Sequence, residues 1–138
     1  MNQKIIYIKK VEIIDVSNIK NYIRVLNDLV CVDLYSAPEE LPLVGLAKCS
    51  SSSSLNNKSV EWTTSLSAKL SDSFRLENRR LVLLLSATNG DQFIIGSRTR
   101  PYPLINSSTM HPDRSSDSIE YLLTAEYTDS FGLTRVLR

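Results

Sequence analysis

Apolar and polar residues alternate with a period of two in two long segments of the chain. From Val60 to Leu70 every second residue, including Trp62, lies on an apolar face, and the residues between them are polar. The alternation recurs from Ile119 to Tyr127, interrupted only by Leu122. This period is typical of a strand with one face in the core and one in water. Both segments exceed the usual strand of about five or six residues, which favours extended hairpins or a protruding arm, and Trp62 is expected to be buried.

A β-hairpin is predicted between these two segments. The apolar run Arg80–Thr88 leads into Asn89-Gly90, and Asp91–Gly96 follows. Asn-Gly favours a two-residue type I′ turn, because both central residues need positive φ. Both faces of the hairpin are apolar at mid-length, so we expect it to lie either between two layers or against another subunit.

The rest of the chain adds weaker elements to a mainly β fold. Short apolar segments rich in β-branched residues predict further strands. In contrast, the apolar residues between Ile19 and Leu26 are spaced i, i+3, i+4 and i+7, which predicts one short helix. We therefore expect a single domain over residues 1–138, a sandwich or partly open barrel of about seven to ten strands with at most one short helix. The pattern leaves open whether residues 1–35 belong to the core or reach into another subunit.

Two polar stretches lack periodicity. Residues 49–58 are rich in serine, and residues 106–118 contain the one histidine, His111. Polar segments without a repeating pattern are typical of loops. We predict a flexible serine-rich loop over 49–58 and a polar loop over 106–118, both of which could order against a neighbouring molecule.

Composition narrows the function classes. The chain has 138 residues with 16 Lys and Arg against 15 Asp and Glu, a formal charge of +1. That balance gives no general attraction to nucleic acid or to an anionic membrane. The longest apolar run, Leu81–Leu85, is far shorter than the eighteen or so residues that a membrane helix needs, and Met1–Lys10 does not resemble a signal peptide. We expect a protein made in a cytoplasm. In such a chain two cysteines are more often free thiols, which favours free Cys31 and Cys49 over a disulfide between them, although the sequence leaves that alternative open.

The chain offers little for catalysis. His111 lies in a polar stretch with no nucleophile motif around it, and two cysteines with one histidine are too few for a typical closed zinc site. The four glycines stand apart, so no phosphate-binding loop is present. We predict a non-enzymatic protein with no catalytic residue, no cofactor and no metal.

The most distinctive local cluster follows the predicted hairpin. Arg98 and Arg100 are two residues apart, so in an extended chain both project from the same side. Pro101 and Pro103 flank Tyr102 and stiffen the segment. All five residues are candidates for a subunit contact, because Arg and Tyr are enriched at interfaces. The alternative is an edge strand that proline and charge protect against unwanted pairing.

The segment from Leu81 to Arg138 resembles small all-β structural proteins of tailed bacteriophages. The resemblance rests on an apolar strand, the Asn89-Gly90 turn, the strand Phe93–Gly96, a proline-containing segment, a polar loop and the alternating strand Ile119–Tyr127. It implies a virion component of the head–tail connector or tail-completion kind, assembled in the host cytoplasm. Such proteins form homo-oligomers, often rings, and contact neighbouring virion proteins.

A second function class stays open from the residues alone. Small β-barrels bind single-stranded nucleic acid with a basic groove and stacking aromatic residues. Arg98, Arg100 and Tyr102 supply part of such a site, although the net charge of +1 does not support it. Salt-dependent binding of DNA would favour this alternative, whereas oligomers at any salt concentration would favour the structural subunit. A membrane partner is not expected in either case.

Overall fold

The computed structural model describes residues 3–56, 59–72, 80–98, 102–110, 120–129 and 133–137. Within these ranges the chain forms eleven strands and a three-residue 3-10 helix, Val16–Asn18. The strands in chain order are β1 Gln3–Asp15, β2 Ile19–Leu26, β3 Leu29–Leu34, β4 Glu39–Glu40, β5 Ala47–Asn56, β6 Ser59–Leu70, β7 Leu81–Ala87, β8 Gln92–Ile95, β9 Leu104–Met110, β10 Glu120–Asp129 and β11 Thr134–Val136. The predicted mainly β fold is confirmed, with one strand more than the upper end of the expected range.

All eleven strands belong to one open sheet that does not close into a barrel. Its order is β2-β3-β11-β8-β7-β1-β5-β6-β10-β9, and the short β4 pairs with β1 beside this path. Neighbours are antiparallel except for β11 and β3, which run parallel. The two end strands of the sheet are therefore β2 and β9, which come from distant parts of the chain.

The larger core lies on one face of this sheet. Buried side chains from β8 at one side and from β10 at the other belong to the same cluster, so the sheet curves around its own inner face. The fully buried members with the largest side chains include Ile8, Leu66, Leu83, Leu85 and Leu123. Burial of such residues supplies the main driving force for folding, about 1.5–3 kcal/mol for each side chain.

A second core covers the opposite face of β7. Val82 and its neighbour Ile94 on β8 pack there against Ile19 of β2 and Val30 of β3. Strand β7 is therefore buried on both faces, because alternate residues point into different cores. Of the two arrangements expected for the apolar hairpin, the structure places it between two layers of the same chain.

The β7–β8 turn differs from the predicted type I′ turn. The Gly90 N–H donates to the Ala87 carbonyl at 3.1 Å, and the Ala87 N–H donates to the Asp91 carbonyl at 2.8 Å. Ala87 and Asp91 thus close a loop of three residues, with Gly90 at a φ of 96°. A three-residue loop of this kind uses a glycine in its last position, and it shifts the strand register by one residue from the predicted one.

The predicted helix over residues 19–26 is wrong, because these residues form strand β2. Register shifts interrupt its pairing with β3 between Ile19 and Asn21 and between Arg24 and Leu26. A β-bulge adds one residue to a strand, so Ile19 and Tyr22 reach the same core although they are three positions apart. A spacing of three residues is also that of one helix face, which explains why the sequence pattern predicted a helix.

The predicted serine-rich loop over 49–58 is wrong for residues 49–56, which belong to β5, and residues 57–58 lie outside the described residues. β5 pairs with β1 on one side and with β6 on the other. Cys49 and Ser51 point inward and are buried, whereas the intervening Ser50 is only partly covered. The small serine side chains therefore fit a central strand whose inner face is covered and whose outer face stays polar.

Two further expectations agree with the structure only in part. Residues 106–110 of the predicted polar loop belong to β9, and 111–118 lie outside the described residues. Trp62 lies on the predicted face of β6 but is only half-buried. The reason is local, because Trp62 pairs with Asp129, the last described residue of β10, and beyond this pair only β5 accompanies β6 among the described strands.

Candidate functional site

Gly96 and Pro103 anchor the segment that was predicted to contact another subunit. Gly96 has a φ of 110° and is buried directly after β8. A Cβ atom at this position would lie 2.9 Å from the Pro103 Cδ and Cγ atoms and 3.2 Å from the Val82 Cγ2 atom. The proline ring therefore packs against the glycine backbone, which fixes both ends of the segment to the body of the sheet.

Two charged side chains of this region have partners within the chain. The exposed Arg98 donates a hydrogen bond from Nη1 to the carbonyl of Lys20 on β2 at 3.2 Å. The Arg80 guanidinium lies over the Tyr102 ring, 5.7 Å from its centroid, in the range of a cation–π contact. Arg100 and Pro101 lie outside the described residues. Of the other three candidates, Arg98 contacts Lys20, Tyr102 contacts Arg80 and Pro103 packs against Gly96. The contact role of the segment stays a prediction.

A polar cluster joins β2 to the end of β10. Burial raises the pKa of Tyr127 to about 12, and the nearby Asp129 carboxylate adds to that rise. Burial also raises the pKa of Tyr22, which receives a hydrogen bond from Arg24. Arg24 donates to the Asn27 carbonyl at 2.7 Å. The raised pKa values keep the Tyr22 and Tyr127 hydroxyls protonated at neutral pH, and the interactions of these side chains link β2 to β10.

Among the described residues, the β5–β6 hairpin extends beyond the pairing of its neighbouring strands. The last described pairs are Gln3↔Ser52 between β1 and β5 and Asp129↔Trp62 between β10 and β6. The pairing of β5 with β6 continues past these points to Asn56 and Ser59. We call residues 54–56 and 59–61 of this hairpin the projecting hairpin.

The projecting hairpin exposes a cross-strand apolar pair. Leu55 pairs with Val60, and these side chains are 75% and 51% exposed. They continue the alternation that places Thr64 and Leu66 in the core, so they extend the inner face of the sheet into solvent. Sequence reasoning missed Leu55 because the serine tract before it predicted a loop, and five consecutive serines show no alternation that would have indicated a strand.

The outer face of the same strands is polar. A shallow open groove of about 350 Å³ runs across β5, β6, β10 and β9. Its lining combines one ammonium group and one carboxylate with hydroxyl and amide side chains: Lys48, Ser50, Ser65, Ser67, Asn106, Thr124 and Glu126, with Leu104 at its edge. This chemistry forms hydrogen bonds with water or with a polar surface, and the groove is wide open to solvent.

No group of three or more His, Cys, Asp and Glu side chains is placed to hold a metal ion in the part of the chain that the structure describes. His111 lies outside that part. Cys31 is half-buried and Cys49 is fully buried, and neither forms a disulfide. Burial raises the pKa of the Cys49 thiol to about 12, so this thiol stays protonated and is a poor nucleophile at neutral pH.

Within the described ranges, the structure contains no helix of the length and apolar character that a bilayer span needs. Comparison with known proteins adds no relative: no family model matches the chain, and no curated protein or solved structure is significantly similar to it.

Proposed function

We propose that this protein is a non-enzymatic structural subunit of a larger assembly. The projecting hairpin carries the proposal, because it holds Leu55 and Val60 in solvent, and in the part of the chain that the structure describes only β5 and β6 pair there. A group of exposed apolar side chains on one face is a feature that interfaces use. The half-buried Trp62 lies beside this pair on the same face and adds an aromatic group, a residue type enriched at binding hot spots.

The assembly that we propose is a particle of a tailed bacteriophage, at the head–tail connector or tail-completion position. The sequence resemblance over Leu81–Arg138 supports this choice, and the geometry supports only the more general role of a subunit. A closed ring is the form that the resemblance implies. Electron microscopy of the purified protein distinguishes a ring from an open polymer.

The experiment compares the oligomeric mass of three proteins by light scattering over a range of concentrations. In the first variant, Leu55→Ser with Val60→Ser removes the apolar pair of the projecting hairpin. In the matched control, Ile23→Ser with Val25→Ser removes two exposed apolar side chains of similar exposure, 59% and 51%, from β2. We expect the wild type and the control to form the same assemblies, and the hairpin variant to shift to smaller species with an unchanged circular dichroism spectrum.

Two results would contradict the proposal. One is a wild-type protein that remains monomeric at every concentration and at low and moderate salt. The other is a hairpin variant that assembles like the wild type. The same samples are titrated with single-stranded DNA, because tight, salt-dependent binding by a monomeric protein would instead favour the nucleic-acid module.

A further inference from the structure

The two ends of the sheet differ in how well they are protected against pairing with another strand. At the β2 end, two register shifts break the regular backbone. The Arg98 side chain donates a hydrogen bond to the Lys20 carbonyl there, and both Lys20 and Arg24 place positive charge on the strand. Bulges, charged side chains and covered backbone groups are the usual protection of an edge strand.

The β9 end has none of these protections within its described residues. Its seven residues pair with β10 in an unbroken register from Leu104↔Glu126 to Met110↔Glu120. The strand contains no charged residue and no proline. None of the other described strands pairs with its outer side, and Asn106, Ser107 and Ser108 are exposed. A regular, uncharged edge strand presents a row of backbone donors and acceptors that another strand can use.

We infer that a second copy of this chain pairs with β9 through its own β9, antiparallel, with a two-fold axis at Ser107. This inference rests on the proposed role as an assembly subunit and names its partner. When the strand is aligned with its own reverse, Ser107 faces Ser107, Asn106 faces Ser108 and Ile105 faces Thr109 of the other copy. Each pair combines residues of similar size, and the central pairs can exchange side-chain hydrogen bonds, which is the self-complementarity that a two-fold contact requires.

The alternative contact, from β9 of one copy to β2 of the next, is less favourable. It would have to displace the hydrogen bond between Arg98 and the Lys20 carbonyl, and it would meet an edge interrupted by two bulges. A β9–β9 contact closes on itself after two subunits. A ring would therefore consist of such dimers joined by a second contact, for which the projecting hairpin is the candidate.

The experiment uses charge exchange at Ser107, whose side chain is exposed and so tolerates substitution in the monomer. Ser107→Glu and Ser107→Lys each place two like charges opposite each other at the proposed axis. We expect each variant alone to weaken dimerisation at least about tenfold, as measured by sedimentation equilibrium. An equimolar mixture of the two variants is expected to recover dimers, because Glu then faces Lys.

The same pair of substitutions at Ser65 is the matched control. Ser65 is exposed on the central strand β6, so Ser65→Glu and Ser65→Lys should dimerise like the wild type. If Ser107→Glu alone associates more tightly than the wild type, β9 pairs with the basic strand β2 of another copy. That result would overturn the two-fold contact. If both Ser107 variants assemble as the wild type does, the β9–β9 contact is also overturned, but the proposed structural role stands. A wild type that is monomeric throughout would contradict both.

Discussion

Gly96 combines an unusual backbone conformation with a close packing contact. Its φ of 110° lies where residues with a Cβ are strained. A Cβ atom would also come within 2.9 Å of Pro103, closer than normal van der Waals contact. The position therefore favours glycine for two independent reasons. Gly45 shows the backbone strain without the close contact, because its φ is 69° but a Cβ atom there would meet nothing within 4 Å.

The variant Gly96→Ala is expected to lower the free energy of unfolding by about 2–4 kcal/mol, from backbone strain and the clash together. Gly45→Ala carries the backbone strain alone, so it should cost about 1 kcal/mol. Urea denaturation of both variants and the wild type measures the difference. Equal losses in the two variants would show that Pro103 moves aside and that the contact does not fix the segment.

Strand β5 shows at the scale of one element how a serine tract becomes a central strand. Ser52 pairs with Gln3 of β1 and with Thr63 of β6, so its backbone lies between two neighbours. Ser54, two residues later, pairs with Glu61 alone among the described residues, because the described part of β1 begins at Gln3. Local opening of the tract must therefore break the pairing with two neighbouring strands at Ser52 but with one at Ser54.

The folded protein is expected to resist proteolysis at residues 50–52, because cleavage requires the segment to leave the sheet. Ser52→Pro introduces a ring and removes one N–H in a central strand, and should lower the free energy of unfolding by roughly 2–4 kcal/mol. Ser54→Pro, in the projecting hairpin, should cost clearly less. Limited proteolysis with mass mapping and urea denaturation test both; rapid cleavage of the wild type within 50–52 would contradict the paired strand.

The periodic strands could be predicted from the sequence, and the irregular ones could not. The facing of β6 follows from alternation alone, and Thr64, Leu66 and Ala68 are buried as that alternation requires. The serine tract hides its alternation, because Ser50 and Ser51 have the same side chain although only Ser51 is buried. The bulges in β2 depend on its pairing with β3, which a local pattern does not contain.

The candidate site was predictable to a smaller extent for a related reason. The pattern singled out Arg98 by its residue type, but its partner, the Lys20 carbonyl, is far away in the chain. The exposure of Leu55 and Val60 depends on where β1 and β10 end relative to the hairpin. Such features arise from the arrangement of strands in the sheet, so a single sequence does not reveal them.

For the whole molecule, burial of ionisable groups makes the fold sensitive to alkali. The ordinary pKa values of Cys49 and Tyr127 are 9.0 and 10.0, and burial raises both pKa values to about 12 in the folded chain. Above pH 9 the folded state therefore holds protons that the unfolded chain releases. The contribution of these two groups to the free energy of unfolding is fully present below pH 9 and is lost as the pH rises toward 12.

We expect the free energy of unfolding to fall steadily from pH 9 to pH 11, with Cys49 contributing roughly 2 kcal/mol of that fall. Cys49→Ala removes one of the buried acids, so its stability should decline less steeply over the same range, whatever its stability at pH 7. Chemical denaturation at several pH values measures the two slopes. Identical slopes in the variant and the wild type would show that the thiol does not ionise on unfolding.

The order of strands in the sheet also decides when the protein can fold during its synthesis. Val11 in β1 pairs with Leu85, and Val30 in β3 pairs with Val136 of β11. At a translation rate of about 5–20 residues per second, the isoleucine-rich β1 waits several seconds on the ribosome for β7, and β3 waits longer for β11. β2 can pair with β3 and β1 with β5 during this time, but closing the more distant pairs is slow. The apolar residues of β1 and β3 that these pairs cover therefore stay exposed meanwhile, and the cell's chaperones are the natural candidates to hold the nascent chain.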